Sequence, residues 1–209
     1  MMEGLPTNRK EYKNYYDSLQ SWRDTNVKNY LNSNSEVVIL AKDFRKAYFS
    51  PDFISLLDGK RGFGVPKFNI PGRTNNSQRR VIEFMGKLQI HRRTFFFTRA
   101  SITLAISIGY MLGFKKIVLC GVDLLNNRYF WEDPKYRKNE IVPPSPPVPT
   151  KKIHSTVDPT SHPVTVDKSV YAINEIFLKK DNIELSVLNK SSKLYPRIGE
   201  FNFSFNLNS

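Results

Sequence analysis

Apolar positions recur with helical spacing in some stretches of the chain and as short continuous runs in others. In the first third they predict a helix over residues 7–32, which Thr7 can cap, and a short buried strand over residues 36–41. A shorter helix is predicted over residues 51–58, because a proline opens it and a glycine follows it. Residues 61–76 are rich in Gly, Pro and Asn, which favours a loop.

The middle of the chain has the strongest pattern. Residues 77–88 predict a helix, and residues 94–97 predict a strand. Ser101 then caps a nearly all-apolar segment, which is typical of a buried helix, and Gly113 can end that helix. The apolar run over residues 115–123 does not alternate, so it predicts a parallel strand covered on both faces. Together these elements predict a βαβ unit.

Regular periodicity lapses after Asp123 and returns near Val166. The intervening segment, about residues 124–165, contains a Pro-rich stretch and is long enough to predict a lid or binding loop. A further helix, with Thr165 or Asp167 at its start, and the strand of residues 183–189 follow. The order of elements predicts an α/β chain that forms one domain over residues 1–209, with a Rossmann-like, mostly parallel sheet flanked by helices.

Composition limits the class of protein further. The chain has 209 residues, 40% of them hydrophobic, which suits a globular domain with its own core. No stretch reaches the roughly 18 apolar residues of a membrane span. The N-terminal residues lack the apolar segment that a secretory signal contains, so no such signal is expected there. The single cysteine, Cys120, lies in an apolar run, which predicts a core position and suits a reducing cytosol.

The balance of charges is strongly basic. Thirty-two Lys and Arg against 19 Asp and Glu give a formal net charge of +13. Such a field attracts nucleic acid, an anionic membrane surface or phosphorylated substrates, although scattered lysines also describe an ordinary solvated surface. No RNA-binding aromatic signature and no zinc-finger spacing accompany the basic residues.

Polar side chains follow two of the predicted strands, where open α/β sheets bind ligands. Arg99 and Ser101 lie at a predicted helix N-terminus, which suits an anion, although Ser101 also fits an ordinary helix cap. Gly121 and Asp123 follow the next strand, and the Asp123 carboxylate can accept from ribose hydroxyls or cap the strand end. Tyr129 lies just beyond, either as a wall of the pocket or in a hydrophobic flap.

Two of the three histidines lie in one loop. His154 and His162 are eight residues apart with Thr156 and Asp158 between them, which is not a recognised zinc spacing. Histidine titrates near neutrality, so either is a candidate general base or acid, or else a surface loop residue. His91 is followed directly by two arginines, which predicts a surface position.

The segment over residues 94–195 resembles the nucleotide-binding half of bacterial lipooligosaccharide sialyltransferases, which use CMP-sialic acid. The resemblance rests on a serine turn, an apolar helix, a strand entry and a Gly-Val-Asp turn, which are residues 100–102, 101–113, 113–117 and 121–123. It implies a GT-A-like fold of the sialyltransferase type. Leu125 stands where the family has its first tyrosine, and Tyr129 fits the second.

The resemblance also implies roles for single residues. Ser101, Gly121 and Asp123 would bind the nucleotide, and Tyr129 would hold the leaving phosphate. Arg99 is a further candidate for nucleotide binding from its place at the predicted helix N-terminus, not from the resemblance. Either His154 or His162 would be the general base, and His154 is favoured because Thr156 and Asp158 could orient it. No metal and no cofactor are implied beyond the CMP-sugar donor. The family's N-terminal Gly-rich nucleotide loop has no counterpart here, so the chain is expected to lack that part.

The function expected from these features is transfer of a sialic acid or Kdo-type sugar from a CMP-sugar to a hydroxyl of a cell-surface glycan. The expected location is the cytoplasm, with peripheral contact to the inner membrane face, no nucleic acid partner and a possible homo-oligomer. Three alternatives stay open. They are a pterin pyrophosphokinase-like enzyme that requires Mg²⁺, a basic binding module without activity, and an inactive remnant.

Overall fold

The computed structural model describes residues 9–22, 25, 26, 29, 33, 39–41, 62–64, 67–98, 100–125, 154 and 156–202. The chain divides into two compact units, one formed by residues 1–65 with 128–149 and the other by residues 66–127 with 150–209. The predicted helix over residues 51–58 and most of the predicted lid lie outside the described residues. That the whole chain forms one domain stays a prediction.

The first unit contains a helix and a pair of short strands. The helix α1 (Arg9–Trp22) confirms the first part of the predicted N-terminal helix. Strand β1 (Ile39–Ala41) pairs in parallel with β2 (Gly62–Gly64). The loop prediction was therefore wrong at β2, because a strand of three residues is too short to show alternation, and the composition of its surroundings dominates the pattern.

The second unit is an α/β structure whose described strands all pair in parallel. Its strands form a two-stranded sheet, β3–β4, and a three-stranded sheet in the order β5–β6–β7. In chain order the elements are β3 (Lys67–Asn69), α2 (Asn75–Lys87), β4 (Phe95–Phe97), α3 (Ser101–Met111), β5 (Lys116–Leu119), α4 (Val166–Ile173), β6 (Glu184–Val187) and β7 (Gly199–Glu200). β3 is a second strand inside the region predicted as a loop.

The βαβ unit predicted around α3 is present in sequence order, but its strands belong to different sheets. The backbone N–H of Phe96 donates to Ser107 Oγ at 2.8 Å, and that of Thr98 donates to Thr103 Oγ1 at 3.0 Å. N–H groups two residues apart point to the same side of a strand. Two side chains of α3 thus occupy the edge of β4 that a neighbouring strand would use, and a continuous sheet is replaced by two smaller ones.

Helix α3 packs closely on β5. A Cβ added at Gly109 would lie 3.1 Å from Ile117 Cδ1, so the absence of a side chain allows the helix to approach the strand. Gly113 has φ +82, and it ends the helix as predicted. Among the described residues, no helix has the length and apolar character needed to cross a bilayer.

Helix α4 begins as predicted, with Thr165 as its N-cap residue, and continues as a π-helical turn over Asn174–Leu178 and a 3₁₀ turn over Lys179–Asp181. It is joined to α2 by polar contacts. Ser169 Oγ donates to Gln78 Oε1 at 2.5 Å, and the Thr165 N–H donates to Asn75 Oδ1 at 2.8 Å. Apolar side chains from both helices and from β4 fill the core, including Ile82, Met85, Phe96, Val170, Ile173 and Phe177.

Two sequence-based placements were wrong. Cys120 is exposed, because β5 ends at Leu119 and the apolar run continues into the turn beyond the sheet. His91 is only 1% exposed, although arginines follow it. It lies in a 3₁₀ turn over Ile90–Arg92 that directs its ring inward, where it stacks on Phe177 with 4.2 Å between ring centroids.

Candidate functional site

The turn after β5 lies at the edge of the three-stranded sheet where the strands end. Its backbone is held by the segment that follows β6. Ser192 Oγ donates to the Val122 carbonyl oxygen at 2.5 Å, and the Lys193 N–H donates to the Asp123 carbonyl oxygen at 2.7 Å. These bonds fix the main chain of Asp123, while its side chain stays exposed. A fixed backbone with an exposed carboxylate is suited to accept hydrogen bonds from a ligand.

The residue after Asp123 has an unusual backbone conformation. Leu124 has φ +57, and its side chain is buried in the core. A left-handed conformation costs roughly 1–2 kcal/mol for a residue with a Cβ. Burial of the leucine side chain offsets this cost and holds the turn in place. Backbone strain of this kind is concentrated at functional sites, which makes this turn a candidate site.

His154 is half-buried and bonded to Thr156. Its Nδ1 lies 2.7 Å from Thr156 Oγ1 and accepts a longer bond of 3.3 Å from the Thr156 N–H. The threonine hydroxyl can donate to Nδ1 or accept from it, so both neutral tautomers have a partner there. The prediction that Thr156 could orient His154 is confirmed.

His154 and Asp123 lie close enough to interact electrostatically. Burial lowers the pKa of His154 below its usual value, and the negative charge of Asp123 opposes that change by raising the pKa. Burial is the larger of the two effects, so the ring is neutral at neutral pH. The structure therefore brings together two of the sequence-predicted residues, a carboxylate from the β5 turn and an imidazole from the distant loop.

The loop of His154 is anchored at the start of α4. The Val166 N–H donates to the Thr156 carbonyl oxygen at 2.9 Å, and Val157 is buried in the core. Asp167, on the first turn of α4, is 7% exposed, and its Oδ1 is buried without a hydrogen-bond partner. The first turn of α4 therefore lies beside the backbone that carries His154.

Asp158 has a different role from the one expected. Its carboxylate accepts bonds from the Thr160 N–H, the Thr160 hydroxyl and the Ser161 hydroxyl at 2.9, 2.7 and 2.8 Å. These bonds lower its pKa to about 2. Asp158 thus shapes its own turn, in which the His162 N–H donates to the Asp158 carbonyl oxygen at 3.0 Å.

The structure describes some of the remaining predicted residues and not others. Ser101 is the first residue of α3 and is exposed, but Ala100 takes the N-cap position and no side chain caps the helix. The cap prediction for Ser101 was therefore wrong. Thr103 turns back instead, and its Oγ1 donates to the Ala100 carbonyl oxygen at 2.8 Å. Arg99 and Tyr129 lie outside the described residues.

Ser101 follows β4, and Gly121, which has φ +68, follows β5, so these two candidate residues belong to different sheets. Sequence reasoning missed Thr103, Ser107 and Ser192, which hold the two strand ends. Hydroxyl residues spaced along an otherwise apolar helix were the available signal for the first two.

Within the described part of the chain, no group of three or more His, Cys, Asp or Glu residues is arranged to hold a metal ion.

Comparison with known proteins gives no match, whether to a family model, to a curated protein or to a solved structure. The resemblance to sialyltransferases therefore stays a prediction from the sequence.

Proposed function

We propose that the protein is a glycosyltransferase that moves a sialic acid or Kdo-type sugar from a CMP-sugar to a glycan hydroxyl. The observation that supports this proposal is the proximity of His154 to Asp123 beyond the end of β5. A neutral imidazole within range of the charge of a carboxylate at this edge of the sheet is suited to deprotonate a hydroxyl near a bound nucleotide.

In the proposed reaction, the acceptor hydroxyl gives its proton to the histidine, and its oxygen forms a bond to the anomeric carbon of the donor sugar. The bond between that carbon and the phosphate oxygen breaks, and CMP leaves with the electron pair. Asp123 would accept hydrogen bonds from the nucleotide and stabilise the imidazolium that forms. Ser101, Arg99 and Gly121 would bind the nucleotide, and Tyr129 would contact the phosphate.

His154 fits the base role with one of its two tautomers. When Nδ1 carries the proton and donates to Thr156 Oγ1, Nε2 is free to accept a proton from the acceptor. In this tautomer the longer bond from the Thr156 N–H to Nδ1 is lost. Because burial lowers the pKa of His154, the unprotonated ring predominates at neutral pH. The proposed reaction requires neither a cofactor nor a metal ion.

The proposed substrates and location follow from the charge of the chain. A net charge of +13 attracts anionic nucleotide-sugars and anionic glycans. We propose that the protein acts in the cytoplasm, with peripheral contact to the anionic inner face of the membrane. The proposed acceptor is a glycan or glycolipid.

A transfer assay with matched histidine variants tests the proposal. The protein is incubated with CMP-sialic acid or CMP-Kdo and a set of fluorescent glycan acceptors, and released CMP and glycosylated product are both measured. We expect His154→Gln to lower kcat by about 10²–10⁴-fold and His162→Gln to change it little. Loss of activity in His162→Gln alone would move the base to His162. Absence of product from the unaltered protein with every donor would contradict the proposal.

A further inference from the structure

The second unit has a pocket of about 560 Å³ at the edge of the three-stranded sheet where the strands begin. Lys115 lines it just before β5, and Ile183 lines it just before β6. Asp123 follows the other end of β5. The pocket is therefore separate from the candidate site, and its volume falls in the range of small-molecule sites.

An ion pair with a bridging carboxylate forms one side of this pocket. Asp181 accepts hydrogen bonds from the Arg92 guanidinium and from the Tyr110 hydroxyl, and His91 Nε2 lies 3.4 Å from its Oδ2. These contacts, chiefly the bond from Arg92, lower the pKa of Asp181 to about 2. Burial and the bond to Asp181 raise the pKa of Tyr110 to about 12. The carboxylate is thus ionised at neutral pH, and its charge is balanced by Arg92.

Two further cations line the pocket without such a partner. Lys180 Nζ makes a long bond of 3.5 Å to the Gly86 carbonyl oxygen, and Lys115 is exposed. Among the described residues, no carboxylate lies within ion-pair distance of either lysine. The residues that line the pocket therefore carry two positive charges beyond the Arg92–Asp181 pair. Like charges on residues that line one cavity repel each other, and a bound anion relieves this repulsion.

We propose that this pocket binds a phosphate group, with Lys115 and Lys180 as its ligands. Such a group can belong to a soluble phosphate ester or to the headgroup of an anionic lipid. Leu112 and Phe114, which are 66% and 56% exposed, alternate in sequence with residues that line the pocket. Binding to a lipid headgroup would require exposed apolar side chains beside the lysines. Replacement of Leu112 and Phe114 is therefore expected to weaken binding to an anionic lipid but not to a soluble phosphate ester.

Calorimetric titration with inorganic pyrophosphate tests the soluble source on the full chain. Lys115→Ala/Lys180→Ala is compared with Lys168→Ala/Lys193→Ala, which removes the same charge from exposed lysines of the same unit that do not line the pocket. We expect the first pair to weaken binding on the order of tenfold or more and the second pair to leave it within about twofold. Shifts of the Gly113 and Asn182 amide signals on titration locate the binding.

Flotation with vesicles tests the lipid source. Phosphatidylcholine vesicles with and without phosphatidylglycerol are mixed with the unaltered chain, both lysine pairs and Leu112→Ser/Phe114→Ser. Binding to anionic vesicles that is lost in the Leu112/Phe114 and Lys115/Lys180 variants, but kept in Lys168/Lys193, supports the headgroup source. The proposal is overturned if neither probe binds, or if both lysine pairs weaken binding equally, since general attraction to the net charge then suffices. None of these outcomes depends on transferase activity.

Discussion

The backbone N–H of Phe96 donates a 2.8 Å hydrogen bond to Ser107 Oγ, so a helix side chain closes the edge of a strand. Both residues are fully buried. Thr103 makes the equivalent contact with the N–H of Thr98 one turn earlier in α3. Ser101 thus begins a helix whose position relative to β4 is fixed by these bonds.

Ser107→Ala is expected to destabilise the protein by about 1–3 kcal/mol, because it leaves the Phe96 N–H buried without an acceptor. Ser101→Ala is the matched control on the same helix. Its side chain is exposed and makes no cap bond, so its effect is expected to stay within about 0.5 kcal/mol. Urea denaturation followed by circular dichroism measures both. Equal stability of the two variants would contradict the strand-closing role of Ser107.

Asp181→Asn is expected to destabilise the protein and to flatten its acid unfolding. The Asp181 pKa is lowered from 3.8 to about 2 in the folded state, chiefly by Arg92 and also by Tyr110 and His91. Because the unfolded carboxyl binds a proton at higher pH, the stabilisation is complete above about pH 4 and is lost as the pH falls towards 2. Removal of the charge is expected to reduce stability at pH 7 by about 2 kcal/mol.

The control for this experiment is Asp158→Asn. The Asp158 pKa is also lowered to about 2, but its partners are only two and three residues away and can still bond to it in the unfolded chain. We therefore expect a smaller change in stability for Asp158→Asn than for Asp181→Asn. Urea midpoints measured between pH 2 and pH 7 give the comparison. Superimposable curves for the unaltered protein and Asp181→Asn would rule out the proposed linkage.

The proximity of His154 and Asp123 has a direct signature in solution. Burial lowers the pKa of His154, and the Asp123 charge raises it. Asp123→Asn is therefore expected to lower the His154 pKa further, whereas Asp158→Asn is expected to leave it nearly unchanged. NMR titration of the ring carbon-bound protons measures both. An unchanged His154 pKa in Asp123→Asn would mean that the two side chains do not interact.

The sequence predicts the longer elements of the second unit well. Helices α2, α3 and α4 lie where the apolar pattern places them, because each helical pattern extends over enough residues to identify its period. Strands β4, β5 and β6 coincide with short runs rich in apolar residues, which identify them without a period. The pattern cannot show that β4 and β5 belong to different sheets. That division depends on Ser107 and Thr103. In the sequence these residues only interrupt an apolar helix, and the structure is needed to show that their hydroxyl groups accept bonds from the N–H groups of residues 96 and 98.

Burial was harder to predict than secondary structure. Cys120 follows three apolar strand residues, 117–119, but the sheet ends one residue before it. His91 is polar and adjoins Arg92, yet a three-residue turn directs its ring onto Phe177. Both errors come from reading burial from neighbours in sequence when it is determined by where an element ends and how it turns.

At the candidate site, the sequence identified Asp123, His154 and Thr156 but not the geometry that joins them. The strained Leu124 and the Ser192 bond to the Val122 carbonyl oxygen hold the turn, and neither has a sequence signal. They depend on a loop after β6, about 70 residues away along the chain.

Binding of CMP to the turn after β5 is the central claim, and calorimetric titration tests it most directly. The full chain is titrated with CMP, UMP, AMP and GMP, each with and without Mg²⁺, and the titration with CMP is repeated on Asp123→Asn and on the control Asp158→Asn. We predict selective, metal-independent binding of CMP that weakens about tenfold or more in Asp123→Asn and is kept in Asp158→Asn. No binding of CMP, or equal binding by the unaltered protein and Asp123→Asn, would contradict the assignment of this site.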